Sequence, residues 1–400
     1  GRPDDALCAV RAARGRQLRA LDRRGRLENL SPEARARFEA ALGGYRRARA
    51  TLDAEVAEDW GRTVVELEAH RARRAAAEQT LRARLDEAFA ALAEAEAPFV
   101  CLPPAPDERL LVWFESDRGV IGFIAGGGPT VAVRLRAVAA DAPPEAQGAA
   151  LLDPLGDALA ERLPGARRLR LLPAGGLAPL DLHALPWRGQ PLIAHRPVVY
   201  GLDLPARTPT QGKTAVVIGD PTENLQGARA EAEATTKALT GGGWRVEALL
   251  GKRADAVAVR RAIAGAALLH YAGHGEAEVG DPWAARLPLA GGTALTLGDV
   301  LTEGAVPRLA VLAGCQTGLT SAEGTSGGMS FAPAFLLAGS AAVIGVTRAV
   351  TDDAAAAFSA AFYGDRSPPE ADMEAAFARA ALALRETHPY AWRSFRLFVR

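Results

Sequence analysis

The chain has 400 residues, 49% of them hydrophobic, and its 47 Lys and Arg balance its 47 Asp and Glu. That length predicts roughly two to three domains with an ample core, and the cancelled charge leaves no field to draw the chain to nucleic acid or an anionic membrane. No run of about 18 apolar residues would span a bilayer, and Cys8, Cys101 and Cys315 are too few and too scattered for a disulfide framework or a zinc cluster. This cysteine usage predicts a reducing, cytoplasmic compartment and inert roles for Cys8 and Cys101. The start at Gly1, without a basic-then-apolar leader, is what a processed chain lacking a secretory signal would show.

Residues 1–100 predict an all-α region of helical hairpins or short coiled coil, suited to regulation or partner binding. Ser31-Pro32-Glu33 is a helix start, with serine as cap and proline in the first turn. Leu81, Leu85, Ala88, Phe89 and Leu92 recur at helical spacing as an apolar stripe, and Pro98 stops that helix. No clean repeat of about 34 residues marks a tetratricopeptide array. Beyond Pro103, Leu110–Phe114, Val120–Ile124 and Val131–Leu135 predict strands, Ala149–Arg162 a helix, Arg168–Leu172 a strand, and Leu192–Val199 a segment broken by Pro197. From Lys213 the rhythm is strand-helix-strand. Strands are predicted at 215–218, 245–250, 266–272, from Leu309 up to Gly314-Cys315, at 341–346 and at 394–399. Helices are predicted at 228–239, 254–263, 297–301, 331–338, 354–363 and 373–385. Apolar strands alternating with helices predict an α/β fold with a mostly parallel sheet covered on both faces.

Functional groups in such folds sit at the carboxyl ends of the strands. The strand through Tyr271 ends in Gly273-His274-Gly275, and the strand through Leu312 ends in Gly314-Cys315, 41 positions later (315 − 274). Neighbouring strands would bring a thiol and an imidazole to one edge, as a cysteine nucleophile and its base require. Cys315 alone reads as a small buried hydrophobe and His274 alone as a packing residue, but two such strand ends together favour a dyad. The N–H groups of Gly275 and Cys315 are the candidate oxyanion hole, and a backbone carbonyl or Glu276 is the candidate orienter of the imidazole. His270 and His274 stand four apart on a strand, roughly 13 Å, too far to share an ion; no metal and no cofactor is expected, and His270 reads as structural. Gly126–Gly128 and Gly241–Gly243 do not match a phosphate loop. Glu276–Gly292 and Gln316–Ser330 predict mobile loops on either side of the dyad.

His270-Tyr271-Ala272-Gly273-His274-Gly275 followed by Val311-Leu312-Ala313-Gly314-Cys315-Gln316-Thr317-Gly318 resembles the histidine and cysteine blocks of the caspase-like cysteine peptidases of clan CD, and most closely the CHAT group, relatives of separase and caspases. Ordered blocks extend the likeness over residues 108–400: 169–205, 249–263, 330–358 and 388–400. The resemblance implies a caspase-like domain with a degenerate N-terminal half without a dyad over 108–210 and a catalytic half over 211–400. It implies a cysteine endopeptidase with Cys315 as nucleophile and His274 as catalytic histidine, acting on a protein or peptide substrate. A regulatory protein partner would bind through the N-terminal helices. Members often carry tryptophan where this chain has Thr347-Arg348-Ala349. Asp220, Asp352 and Asp353 are the candidate acids of a substrate pocket, although Thr351-Asp352-Asp353 also reads as an ordinary helix start, with Thr351 as cap. A non-catalytic peptide-binding module and a thiol acyltransferase or peptide ligase are the rival readings.

Overall fold

The computed structural model describes the chain apart from residues 1, 15, 23–25, 60–61, 96–98, 117–118, 206–210, 279–280, 315–316, 319–328 and 365–371. Helices α1 (Pro3–Arg14), α2 (Arg16–Ala20), α3 (Pro32–Ala57) and α4 (Val64–Ala93) open the chain. α3 starts as its sequence dictates: the Ser31 hydroxyl accepts the Ala34 N–H at 3.1 Å, with Pro32 in the first turn. A capping box between Thr63 and Glu66 starts α4. The two helices pair through Phe38, Ala41 and Leu42 against Ala88, Ala91 and Leu92, and through Tyr45 and Leu52 against Leu81 and Leu85.

The body is α/β. Strands β1 (Glu108–Ser116), β2 (Gly119–Ala125) and β3 (Val131–Leu135) form an antiparallel meander. Next come α5 (Pro144–Leu151) and α6 (Gly156–Arg162), β4 (Arg168–Leu172), the small hairpin β5 (Pro186–Trp187) and β6 (Gln190–Pro191), α7 (Leu192–His195) and β7 (Val198–Gly201). The single helix expected over 149–162 is broken into two by a 3-10 turn at Asp153–Leu155, because Pro154 cannot continue the helical hydrogen bonding. The second half runs β8 (Thr214–Gly219), α8 (Gln226–Gly241), β9 (Arg245–Leu250), α9 (Ala256–Ala264) and β10 (Leu268–Ala272). A three-stranded arm follows, β11 (Glu276–Glu278), β12 (Asp281–Pro288) and β13 (Ala294–Thr296), then α10 (Leu297–Thr302) and β14 (Leu309–Leu312). The chain ends with α11 (Phe331–Ala338), β15 (Ala342–Val346), α12 (Asp352–Tyr363), α13 (Met373–Thr387) and β16 (Phe395–Val399).

Eleven strands form one sheet in the order β3-β2-β1-β4-β7-β16-β15-β14-β10-β8-β9. β9, β8, β10, β14 and β15 are parallel; β16 is antiparallel to β15 and parallel to β7, β4 and β1. The sheet is thus two parallel blocks of opposite direction meeting between β15 and β16, with the antiparallel β2–β3 hairpin added at the β1 edge. One continuous hydrophobic cluster runs from Leu111 to Val399 across both blocks. Central strands β10, β14 and β15 are buried at every position, as parallel strands covered on both faces must be.

Two expectations are corrected. Cys8 in α1 is disulfide-bonded to Cys101, with Cα atoms 5.6 Å apart, so neither is an inert thiol and the cysteine count no longer argues for a reducing compartment. Beside it, Arg11 places two nitrogens on the Asp203 carboxylate at 2.9 and 2.7 Å, and Arg14 donates to the carbonyls of Pro173 and Gly201, so α1 is docked on the body by buried polar contacts. The segment 276–292, expected as a loop, is largely the paired arm β11–β12. No described helix is long and apolar enough to cross a membrane.

Candidate active site

The edge formed by the carboxyl ends of β8, β10 and β14 gathers the predicted chemistry. β10 is apolar and buried up to Ala272, and the chain then turns through Gly273 to His274. Tyr271 fixes that turn: its hydroxyl lies 2.7 Å from the His274 carbonyl and 2.9 Å from the Pro288 carbonyl, tying the histidine backbone to the end of β12. Burial pushes the Tyr271 hydroxyl far above its ordinary pKa, so it remains a donor.

The imidazole of His274 is oriented from β8. Its Nε2 lies 3.0 Å from Asn224 Oδ1, which also accepts the Thr222 hydroxyl at 2.7 Å. An amide oxygen is an acceptor only, so Nε2 carries the hydrogen in this contact, and in the neutral ring the basic lone pair is then on Nδ1. Asn224 is in turn positioned by Asp220, whose Oδ1 accepts the N–H groups of Asn224 and Leu225, each at 2.9 Å. This turn holds two non-glycine residues at positive φ, Asp220 at 47° and Glu223 at 57°, a conformation that the Asp220 side-chain bonds support. Sequence reading missed Asn224; the Asp at a strand end followed four residues on by Asn was the available signal.

Cys315 and Gln316 lie outside the described residues, but the chain on either side is held against the His274 turn. The Ala313 N–H donates to the Tyr271 carbonyl at 2.9 Å. Gly314 faces the same turn: a Cβ there would sit 3.0 Å from the Gly273 carbonyl oxygen and 3.2 Å from the Gly275 nitrogen. Beyond, the buried Thr317 hydroxyl lies 2.9 Å from the Leu312 carbonyl and 3.0 Å from the Gly314 carbonyl, and accepts the Val346 N–H at 3.1 Å. A cleft of about 450 Å³ lies between the turn Pro221–Glu223 with Lys252 and the residues Glu276, Arg286 and Pro288–Ala294; His274 itself is outside its lining. Its floor rests on the helical hairpin, since a Cβ on Gly292 would meet Val56 of α3 at 3.2 Å.

The other candidates have different partners. Glu276 pairs with Arg286 at 2.5 Å and does not orient the imidazole. His270 points into the core, 3.1 Å from the Tyr363 hydroxyl and 3.2 Å from Glu231. Asp220 is 3% exposed and spent on its own turn, with Arg229 3.4 Å from its second oxygen, so it does not offer a pocket acid. Asp352 packs on the start of α8, where a Cβ on Gly227 would stand 2.7 Å from Asp352 Oδ2. Asp353 is exposed and bonded to His388 at 3.0 Å. Hydrogen bonds from the Thr351 side chain and from His388 hold the Asp353 carboxyl at about 2. Thr351 stands at the cap position of α12, but its hydroxyl accepts no helix amide. Among the described residues no group of three His, Cys, Asp or Glu is placed to hold a metal ion.

No curated protein matches the chain. Among solved structures, two of the Saccharomyces cerevisiae separase–securin complex, at 2.6 and 3.0 Å, resemble it at 13% and 12% identity. Each covers 58% of this chain, with a TM-score of 0.44, and the chain covers 16% and 15% of theirs. The family model described as the CHAT domain matches residues 145–399, 255 of the 400 residues (399 − 145 + 1). With more than half of its length so matched, the chain belongs to the CHAT domain family.

Proposed function

We propose that the chain is a cysteine endopeptidase that hydrolyses a peptide bond in a protein substrate, with Cys315 as nucleophile, His274 as base and Asn224 as the group that orients it. The observation that carries this reading is the His274 Nε2–Asn224 Oδ1 contact of 3.0 Å at the edge where Gly314 packs on the histidine turn. A Cys-His-Asn set needs this order: the amide holds one ring nitrogen and leaves the other for the thiol.

In this reading Nδ1 takes the thiol proton, and the thiolate attacks the scissile carbonyl carbon. The carbonyl π electrons move to oxygen, and the N–H groups of Gly275 and Cys315 receive that oxyanion. The imidazolium then gives its proton to the leaving amine, and the C–N bond breaks to leave a thioester. Water, deprotonated by the same nitrogen, hydrolyses the thioester and restores the thiol. The imidazolium formed on the way keeps its Nε2–H bond to Asn224, so the ring does not turn between steps.

Regulation through the N-terminal helices belongs to the same proposal. It is supported by the seating of α3 under the cleft and by the buried charged cluster there: Tyr45 and Arg49 on Asp299, and Arg49 and Arg260 on Asp53. A peptide electrophile tests the chemistry: one adduct on Cys315 is expected, lost in Cys315→Ala and slowed in His274→Ala. Labelling that persists in Cys315→Ala would refute it.

A further inference from the structure

Arg348 leaves β15 and Arg393 leads into β16. These strands are antiparallel, so both residues stand at the sheet edge that carries His274, tied together where the Thr347 N–H donates to the Ser394 carbonyl at 2.9 Å. A cavity of about 270 Å³ lies between them and the segment Pro179–Leu185, with Gln147 on its wall. Asp181 is the acid among its lining residues, and it is already engaged by Arg348 and, at 3.2 Å, by the buried Arg396. Arg393 makes no hydrogen bond or ion pair among the described residues, and its Nε is buried without an acceptor. Arg393 as a whole is half-buried and lines the cavity, so its guanidinium is a cation that an incoming anion would meet there.

His183 is buried beside this corner. Burial lowers its imidazole, Asp181 opposes, and Arg396, Arg348 and Arg393 add smaller lowering contributions, for a pKa of about 3. Three guanidiniums thus face one carboxylate at this corner. Neutral β strands lie about 4.8 Å apart, and an extended chain advances about 3.3 Å per residue. β14, which leads to Cys315, is two strands from β16. A peptide lying across the strand ends would therefore bring a side chain about three residues from the attacked bond to this cavity.

We propose that the cavity is a carboxylate subsite, in which Arg393, with Arg348 at the rim, receives the side chain of a Glu or Asp in the bound polypeptide. The identity of the ligand as a peptide rests on the peptidase reading; the anion preference does not. Arg393 is then a specificity residue, separate from the dyad.

The test uses the full chain carrying Cys315→Ala, immobilised and incubated with an equimolar library of random hexapeptides, whose retained fraction is sequenced. Glu and Asp should be enriched roughly tenfold over Gln and Asn at one position, the scale of a charge-assisted hydrogen bond. Adding Arg393→Gln should bring that enrichment to within about twofold, while Arg393→Lys keeps part of it and shows that the cavity is still folded. Retention without an acid preference, no retention, or a preference unchanged in Arg393→Gln overturns the subsite. Release of the acidic peptides by equimolar inorganic phosphate assigns the site to free anions and overturns its peptide ligand. Because binding is read without catalysis, a wild-type chain that cleaves nothing counts against the peptidase reading alone.

Discussion

His274 Nε2 and Asn224 Oδ1 stand 3.0 Å apart across 50 residues of sequence, brought together because β8 and β10 are parallel neighbours. The contact orients the ring in the way the proposed dyad requires. Removing the amide in Asn224→Ala should lower kcat/KM by about tenfold to a hundredfold, the range for loss of an orienting hydrogen bond. Asn224 is exposed, so the thermal midpoint should barely move. Steady-state kinetics on a cleaved peptide, with a melting curve alongside, checks both halves.

The His274 backbone is held as firmly as its ring. Tyr271→Phe deletes the hydroxyl that bridges the carbonyls of His274 and Pro288 and should cost about 1 kcal/mol of stability together with a fall in kcat. Gly314→Ala adds a methyl group 3.0 Å from the Gly273 oxygen, forcing the two strand ends apart. It should depress activity more than it depresses the urea midpoint, since the strain falls on the site.

His183 predicts acid sensitivity. It is fully buried, and its folded-state value of about 3 lies below the ordinary 6.5. The folded chain thus holds the neutral ring, and only the unfolded chain takes up the proton as pH falls below 6.5. The contribution is complete above pH 6.5 and is lost progressively between 6.5 and about 3. At pH 5 the loss is on the order of 2 kcal/mol. Urea unfolding at pH 7.5 and 5.0 should show this drop in the wild-type chain and a smaller one in His183→Asn.

The Cys8–Cys101 bond closes a loop with a sequence separation of 93 that contains the whole α3–α4 hairpin. A loop of that length predicts about 4.6 kcal/mol of stabilisation in the chain-entropy account. Cys8→Ser should lower the urea midpoint accordingly, and dithiothreitol should lower the wild-type midpoint while leaving Cys8→Ser unchanged. Equal midpoints in all four samples would show that the pair does not form.

Much of the body was readable because its strands are short apolar runs between turn residues. The expected spans 131–135, 168–172, 245–250 and 331–338 coincide with β3, β4, β9 and α11. The arm β11–β13 was not readable: two of its strands are three residues long, and it is interrupted by Pro282, Pro288 and Gly291-Gly292. The site was half readable. His274 follows an apolar strand that announces it, whereas Asn224 sits in a polar turn, and its proposed role depends on a strand pairing that no local pattern encodes. The Cys8–Cys101 pair depends on how α1 docks, equally invisible in composition. Asp220 had the right position and the wrong role, because burial and two amide donors turned a candidate pocket acid into a turn support.

The most direct test of the central claim is a proteome-wide profile of new amino termini, comparing the wild-type chain with Cys315→Ala in the same lysate. The account predicts a small set of cleavages present with wild type, absent with Cys315→Ala and strongly reduced with Asn224→Ala. The same cleavages at the same rate from Cys315→Ala would contradict it.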